Sequence, residues 1–208
     1  MRVEMIAVTQ YLGGGASPVG LLEHAGRTCY RSETKGQPER FLRARIREGH
    51  ESLIEHASIT FEISGVSRAC THQLVRHRIA SYSQESQRYV EMSAQELVVP
   101  PAVSESPQAM EVWQEFVGHV ANAYRRLREL GVRKEDARFV LPNATATRIV
   151  VTMNLRSLRH FFEVRCDKAA QWEIRNLALE MLRQAYGVVP AAFEDLYDKY
   201  CSTGPDLV

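Results

Sequence analysis

"HASITFEIS", residues 56–64, decides how this chain is read. Ala57, Ile59, Phe61 and Ile63 alternate with Ser58, Thr60 and Glu62, the period of two that a half-buried strand requires. Immediately downstream, "SRACTHQLVRHRIA" (67–80) drops the alternation for spacing that can wind into a helix, with Ser67 as its N-cap. Upstream, "HESLIEH" (50–56) reads as a polar turn feeding the strand. Its two histidines match neither zinc-protease pattern, so a metal is rejected.

Outward from this core the elements alternate without a βαβ rhythm. "VEMIAVT" (3–9) reads as an opening strand, followed by a Gly13–Gly15 turn that lacks the spacing of a dinucleotide or P-loop fingerprint. Ser17-Pro18 starts a helix through about Cys29, and a second helix spans Pro38–Arg47, stopped by Gly49. "ELVVPPAV" (96–103) is expected to be extended, because its two prolines cannot continue a helix. Val112, Trp113, Phe116, Val120, Tyr124 and Leu127 stripe a long helix that Gly131 can end.

"KEDARFVL" (134–141) is a short helix ended by Pro142, and "TRIVVTMN" (147–154) is a strand. A helix begins near Leu155, and a last long one runs from about Ala170 to Tyr186, stopping at Gly187. Ile174, Leu177 and Met181 make that helix amphipathic and put Trp172 in the core rather than on a stacking platform. The fold expected is α+β, a mixed sheet packed with long helices in a single domain over residues 1–208.

The net charge of +1 over 208 residues gives no global attraction to nucleic acid or acidic membrane, so any anion site must be local. Arginine outnumbers lysine 22 to 4, which suits bidentate grip on phosphate or carboxylate as well as a GC-rich coding bias. Cys29, Cys70, Cys166 and Cys201 form no CxxC pair. With no signal peptide or long apolar span, a reducing cytoplasm and free, mostly buried thiols are expected.

Charge is concentrated in "RHRIASYSQES" (76–86). Between residues 68 and 88 four arginines and two histidines face one acid, Glu85. On a continued helix Gln73, Arg76 and His77 would share a face, and like charges held so close cost stability until an anion neutralises them. Tyr82, Ser81, Ser83 and Ser86 add neutral hydrogen bonds, with Arg88 supplying another cation. Ser86 lacks the glycines of a nucleophile elbow, so a hydrogen-bonding role is expected. The second region, "TMNLRSLRHFFEVRCDKAAQWEIR" (152–175), offers Asn154 as a helix cap. Leu155, Leu158, Phe161 and Phe162 form its buried stripe, with Arg156, Arg159, His160 and Arg165 projecting and few acids near. Arg138, among apolar neighbours in "DARFVLP" (136–142), needs a specific partner.

These residues resemble the flavin-dependent thymidylate synthase family. "RHRIASYSQES" fits its RHR-x7-S signature, and the likeness extends to "HESLIEH", "DARFVLP" and "MNLRSLRHFFEVRCDKAAQWEI", over most of residues 50–176. The resemblance implies methylation of dUMP to dTMP, with methylenetetrahydrofolate as carbon donor, FAD as hydride carrier and NADPH as reductant. It further implies a cytoplasmic homotetramer with FAD at subunit interfaces, and no nucleic acid or membrane as partner. By position, Ser52, Arg76, His77, Arg78, Gln84, Asn154, Arg156 and His160 would hold FAD. Gln73, Gln84, Glu85, Ser86, Gln87, Arg88, Arg138 and Arg165 would hold dUMP, with Arg165 polarising the uracil. Gln84 stands where some relatives have glutamate, and His160 where some have asparagine. The rival reading, an arginine-rich nucleic-acid-binding module, has the near-neutral charge against it.

Overall fold

The structure, a computed structural model, describes residues 1–14, 17–29, 31–34, 36–94 and 96–202; Gly15, last of the expected glycine turn, lies outside them. Strand β1 (Arg2–Val8) is followed by α1 (Pro18–Thr28) and α2 (Pro38–Arg47). Ser17 Oγ accepts from the Val19 amide to start α1, and Gly49 turns the chain away after α2 at φ 79°. The "HESLIEH" segment is a 3₁₀ turn, Glu51–His56, that buries Leu53 and Ile54.

Strand β2 (Ser58–Ser67) carries the alternation that the sequence announces, with Ile59, Phe61 and Ile63 fully buried. A bulge at Gly65, whose φ of 68° suits only glycine, redirects the last residues so that Val66 and Ser67 are both buried. Ser67 then caps α3 (Arg68–Leu74) by accepting from the Cys70 amide at 3.0 Å. Next come β3 (Ser81–Gln84), α4 (Pro101–Ser104), α5 (Pro107–Glu129) and α6 (Lys134–Ala137). Strand β4 (Ala146–Asn154), α7 (Leu155–Arg165), α8 (Trp172–Val188) and α9 (Pro190–Tyr200) complete the described chain.

The sheet runs β1-β2-β4-β3, and all three ladders are antiparallel. It is therefore not the mixed sheet expected, because helices between strands do not by themselves fix strand direction. Register sets Ile59 opposite Met153, Phe61 opposite Val151 and Ile63 opposite Ile149, so one face of both central strands is apolar. Against that face pack Leu158, Phe161 and Phe162 of α7, Ile174, Leu177 and Met181 of α8, and Phe193 and Leu196 of α9. Each such side chain taken from water stabilises the fold by roughly 1.5–3 kcal/mol before entropy is counted. Trp172 is only half-buried and stands outside this cluster, against expectation.

Other elements and boundaries also differ. Helix α3 stops at Leu74 instead of carrying the arginines, and β3 was not foreseen in its polar sequence. Pro100 and Pro101 open the short helix α4 rather than an extended run, because proline is welcome in a first turn. Helix α8 passes Gly187 to end at Val188, and a further helix, α9, begins at Pro190. A smaller cluster joins Tyr124 of α5 to Met92 and Ala137. The rest of the α5 stripe is largely uncovered, with Val112 69% and Phe116 41% exposed. Of the cysteines, Cys70 and Cys166 are buried, Cys201 is half-buried and Cys29 is exposed, all as free thiols.

Candidate active site

The first turn after α3 determines where the arginine cluster points. Arg76 N donates to Gln73 O at 3.2 Å and His77 N to Leu74 O at 3.1 Å, three-residue bonds that tighten and end the helix. The single Tyr82 hydroxyl proton is shared between Leu74 O at 2.9 Å and His77 O at 2.8 Å. Burial pushes that phenol up to about 12, so the hydroxyl stays a donor. Strand β3 thus pins the turn through Tyr82. Tyr82→Phe is expected to cost about 1 kcal/mol of stability. Thermal melts of the two proteins measure this; an unchanged melting temperature would mean that the turn holds without the hydroxyl.

Opposite this turn lies α7, begun directly at the end of β4. Asn154 is the last residue of the strand and caps the helix, its Oδ1 accepting from Ser157 N at 2.8 Å. Between turn and helix opens a cleft of about 840 Å³, lined by Arg76, His77, Arg78, Asn154, Arg156 and His160, with Arg165 at the far end of α7. The volume suits a cofactor-sized ligand.

Carboxylates enter the cleft too, which the sequence reading did not foresee. Glu51, Glu55 and Glu163 line it. Arg156 pairs with Glu55 at 2.5 Å, and its Nε lies 3.7 Å from Glu51. Arg159 is only 5% exposed and donates to both oxygens of Asp195 at 2.7 Å and to Ala192 O at 2.6 Å, locking α7 to α9. Two of the four cations expected to project freely are therefore paired. Among the described residues Arg76, Arg78 and Arg165 have no carboxylate partner.

Arg165 is held instead by neutral acceptors. Its Nε donates to His77 Nε2 at 3.0 Å and its Nη1 to Gln73 Oε1 at 3.4 Å. His77, edge-on to Phe161 at 5.0 Å between centroids, is pulled from 6.5 down to about 4. Burial is the largest cause, followed by the charges of Arg165 and His160. The imidazole is thus neutral at pH 7. Because the unfolded chain takes this proton near 6.5 and the folded one near 4, the associated stability is whole above 6.5 and drains away as pH falls through 4. Between pH 7 and pH 4 the melting temperature of the native protein should therefore fall further than that of His77→Gln, which keeps an acceptor and cannot titrate. Parallel falls would show that His77 does not titrate in this window.

The remaining expected residues do not line the cleft. Ser52 is exposed beside Glu51, with no hydrogen bond to a cleft residue among those described. Gln84 Nε2 donates to Thr71 Oγ1 at 2.9 Å. At the end of β3, Ser86 Oγ accepts from the Arg88 amide at 3.3 Å, which commits it to its own turn while His77 Nε2 is committed to Arg165. Glu85 O accepts from Arg68 at 3.2 Å, and Arg138 finds its partner in Glu135 O at 3.1 Å. Glu85, Arg88 and Arg138 thus gather at a second locus with Ser86 in its turn, Gln84 and Gln87 lie on the same stretch of chain, and only Gln73 is tied to the cleft, through Arg165.

Sequence reading named Arg159 as a projecting cation and not as the buried tie to α9 that it is, and it did not single out Glu173 or Glu135. For Glu173 the available signal was an acid on the buried stripe of an amphipathic helix, one residue before Ile174.

An α+β scaffold whose cleft keeps three guanidiniums without a carboxylate partner, with a neutral imidazole beside one of them, has the chemistry that phosphorylated ligands require. Residues 15–191 match the family model described as thymidylate synthase complementing protein. A flavin-dependent thymidylate synthase of Geobacter sulfurreducens is 48% identical over 96% of this chain and 89% of its own. Another, from Nitratidesulfovibrio vulgaris, is 45% identical over 98% of this chain and 91% of its own, and one from Mycolicibacterium vanbaalenii is 41% identical over 94% and 89%. The chain belongs to this family of thymidylate synthases. No helix among the described residues is long and apolar enough to cross a membrane.

Proposed function

We propose that the chain is a single-domain flavin-dependent thymidylate synthase, acting in the cytoplasm, that converts dUMP to dTMP. Methylenetetrahydrofolate gives the carbon and NADPH the reducing equivalents. The observation that carries this reading is the trio of unpaired guanidiniums in one cleft, two of them in the signature segment of residues 76–86. Arg76, His77, Arg78, Asn154, Arg156 and His160 would hold FAD, with Ser52 and Gln84, which lie outside this chain's cleft, meeting FAD bound against a neighbouring subunit. Unpaired cations and a neutral donor–acceptor ring fit a phosphate-bearing flavin in chemistry as well as in volume. When bound, FAD supplies the hydride.

Gln73, Gln84, Glu85, Ser86, Gln87, Arg88, Arg138 and Arg165 would hold dUMP. Addition of a one-carbon unit at uracil C5 requires electron density pushed onto that carbon. A guanidinium beside the ring amide stabilises the negative charge that this push creates. Arg165 suits the task because its own partners, His77 and Gln73, are neutral and leave its charge undiminished. The separation of the second locus from the cleft within one chain fits a homotetramer in which neighbouring subunits complete each site.

The test is direct. Protein incubated with FAD and desalted should be yellow, and with the other substrates should release tritium from C5-labelled dUMP. A colourless, inactive protein that shifts duplex DNA would favour the nucleic-acid reading instead.

A further inference from the structure

The second locus contains an ion pair that a substrate contact would have to break. Segments 85–89 and 133–138 meet there. Lys134 Nζ donates to Tyr89 O at 3.0 Å, and Arg88 Nη2 lies 3.3 Å from Glu135 Oε2. The other oxygen of Glu135 is 2.8 Å from Arg133 Nη2. The locus as a whole gathers Arg68, Arg88, Arg133, Lys134 and Arg138 against Glu85, Glu135 and Asp136, with Arg68 reached through Glu85 and Arg138. Burial, and then the charge of Arg138, lower the proton affinity of Arg68, so its guanidinium gains from any added anion. The locus is cationic and incompletely neutralised.

We propose that Glu135 occupies Arg88 in place of the nucleotide phosphate and yields it when dUMP binds, so that it sets how much the phosphate contributes to substrate choice. The inference rests on the reading of Arg88 as a dUMP contact. The Arg88–Glu135 pair is built to exchange. Its side chains are 52% and 29% exposed, it uses one nitrogen and one oxygen, and at 3.3 Å it is long for a charge-assisted bond. A phosphate offers three oxygens and up to two charges to the same planar guanidinium, and can engage it bidentately. Glu135 is not left bare by the exchange, because Arg133 already holds its other oxygen. Before the nucleotide arrives, the carboxylate keeps other anions from Arg88.

The experiment is calorimetric titration of FAD-loaded protein with dUMP and, separately, with deoxyuridine, which lacks the phosphate. Glu135→Gln should tighten dUMP roughly two- to five-fold, the range in which half-exposed ion pairs act, and leave deoxyuridine unchanged. In an Arg88→Gln background the same substitution should have no effect on dUMP. Glu135→Ala, with thermal melts to verify folding, should move affinity in the same direction. Unchanged or weaker dUMP binding in both Glu135 variants, while Arg88→Gln still weakens it, overturns the proposal and leaves the Arg88 assignment standing. Equal tightening of deoxyuridine overturns it as well. If Arg88→Gln binds dUMP like the native protein, the assignment of Arg88 itself falls, and the proposal with it.

Discussion

Arg165→Ala is expected to lose on the order of 10²-fold or more in turnover while keeping its flavin, the usual size for removing one charge-stabilising donor. The guanidinium is aimed by two separate contacts, Nε to His77 and Nη1 to Gln73. Neither partner carries a charge that would mute it, and its half-buried setting strengthens its field on a bound ring. FAD should remain because Arg76 and Arg78, also unpaired, line the same cleft. Arg165→Lys keeps the charge but cannot make both contacts from one ammonium, so it should also fall well below the native rate. Tritium release from C5-labelled dUMP, with flavin absorbance on the same samples, measures both effects. Near-native turnover in Arg165→Ala would pass the role to Arg138 or Arg88.

The largest loss of stability is expected from Glu173→Ala. This carboxylate is 4% exposed and accepts from Ser67 N at 2.6 Å and Ser67 Oγ at 2.5 Å. It thereby fixes the joint between β2 and α3 against the start of α8. Truncation leaves a buried amide and hydroxyl without their acceptor, at a cost of about 3 kcal/mol. For a chain of this length the melting temperature should fall by roughly 6–12 °C. Glu173→Gln retains one acceptor oxygen and should recover at least half of the loss. A fall under about 2 °C in the alanine variant would mean that water or a rearranged Ser67 replaces the carboxylate.

The sequence made the two central strands and most helix starts readable because each depends on local rules. Alternation marks β2, and Ser17, Ser67 and Asn154 cap the helices that follow them. What it withheld depends on contacts between distant segments. The end of α3 at Leu74 is enforced by Tyr82, whose role is invisible until β3 lies alongside β4. The polar alternation of Ser81–Gln84 carries too little hydrophobic signal to announce a strand. In the site, the motif residues of the cleft were legible as a charge cluster. Their carboxylate partners were not, because Glu51, Glu55 and Asp195 lie between 36 and 108 residues from the arginines they hold. The same holds for the division of the remaining motif residues into a second locus.

Strand β4 passes into α7 at Asn154 with no intervening loop. A single inserted or deleted residue upstream in β4 would turn the helix by about 100° and send every strand side chain to the opposite face. Arg156, His160 and Glu163, which lie within about 60° of one another around α7, would leave the cleft together. Length variation among descendants of this chain should therefore collect in connections away from the site residues, such as those between β1 and α1 and between Tyr89 and α4, and be purged from 146–165. In a lineage of such proteins that joint behaves as a fixed ruler, and drift in ligand preference must come from substitution alone.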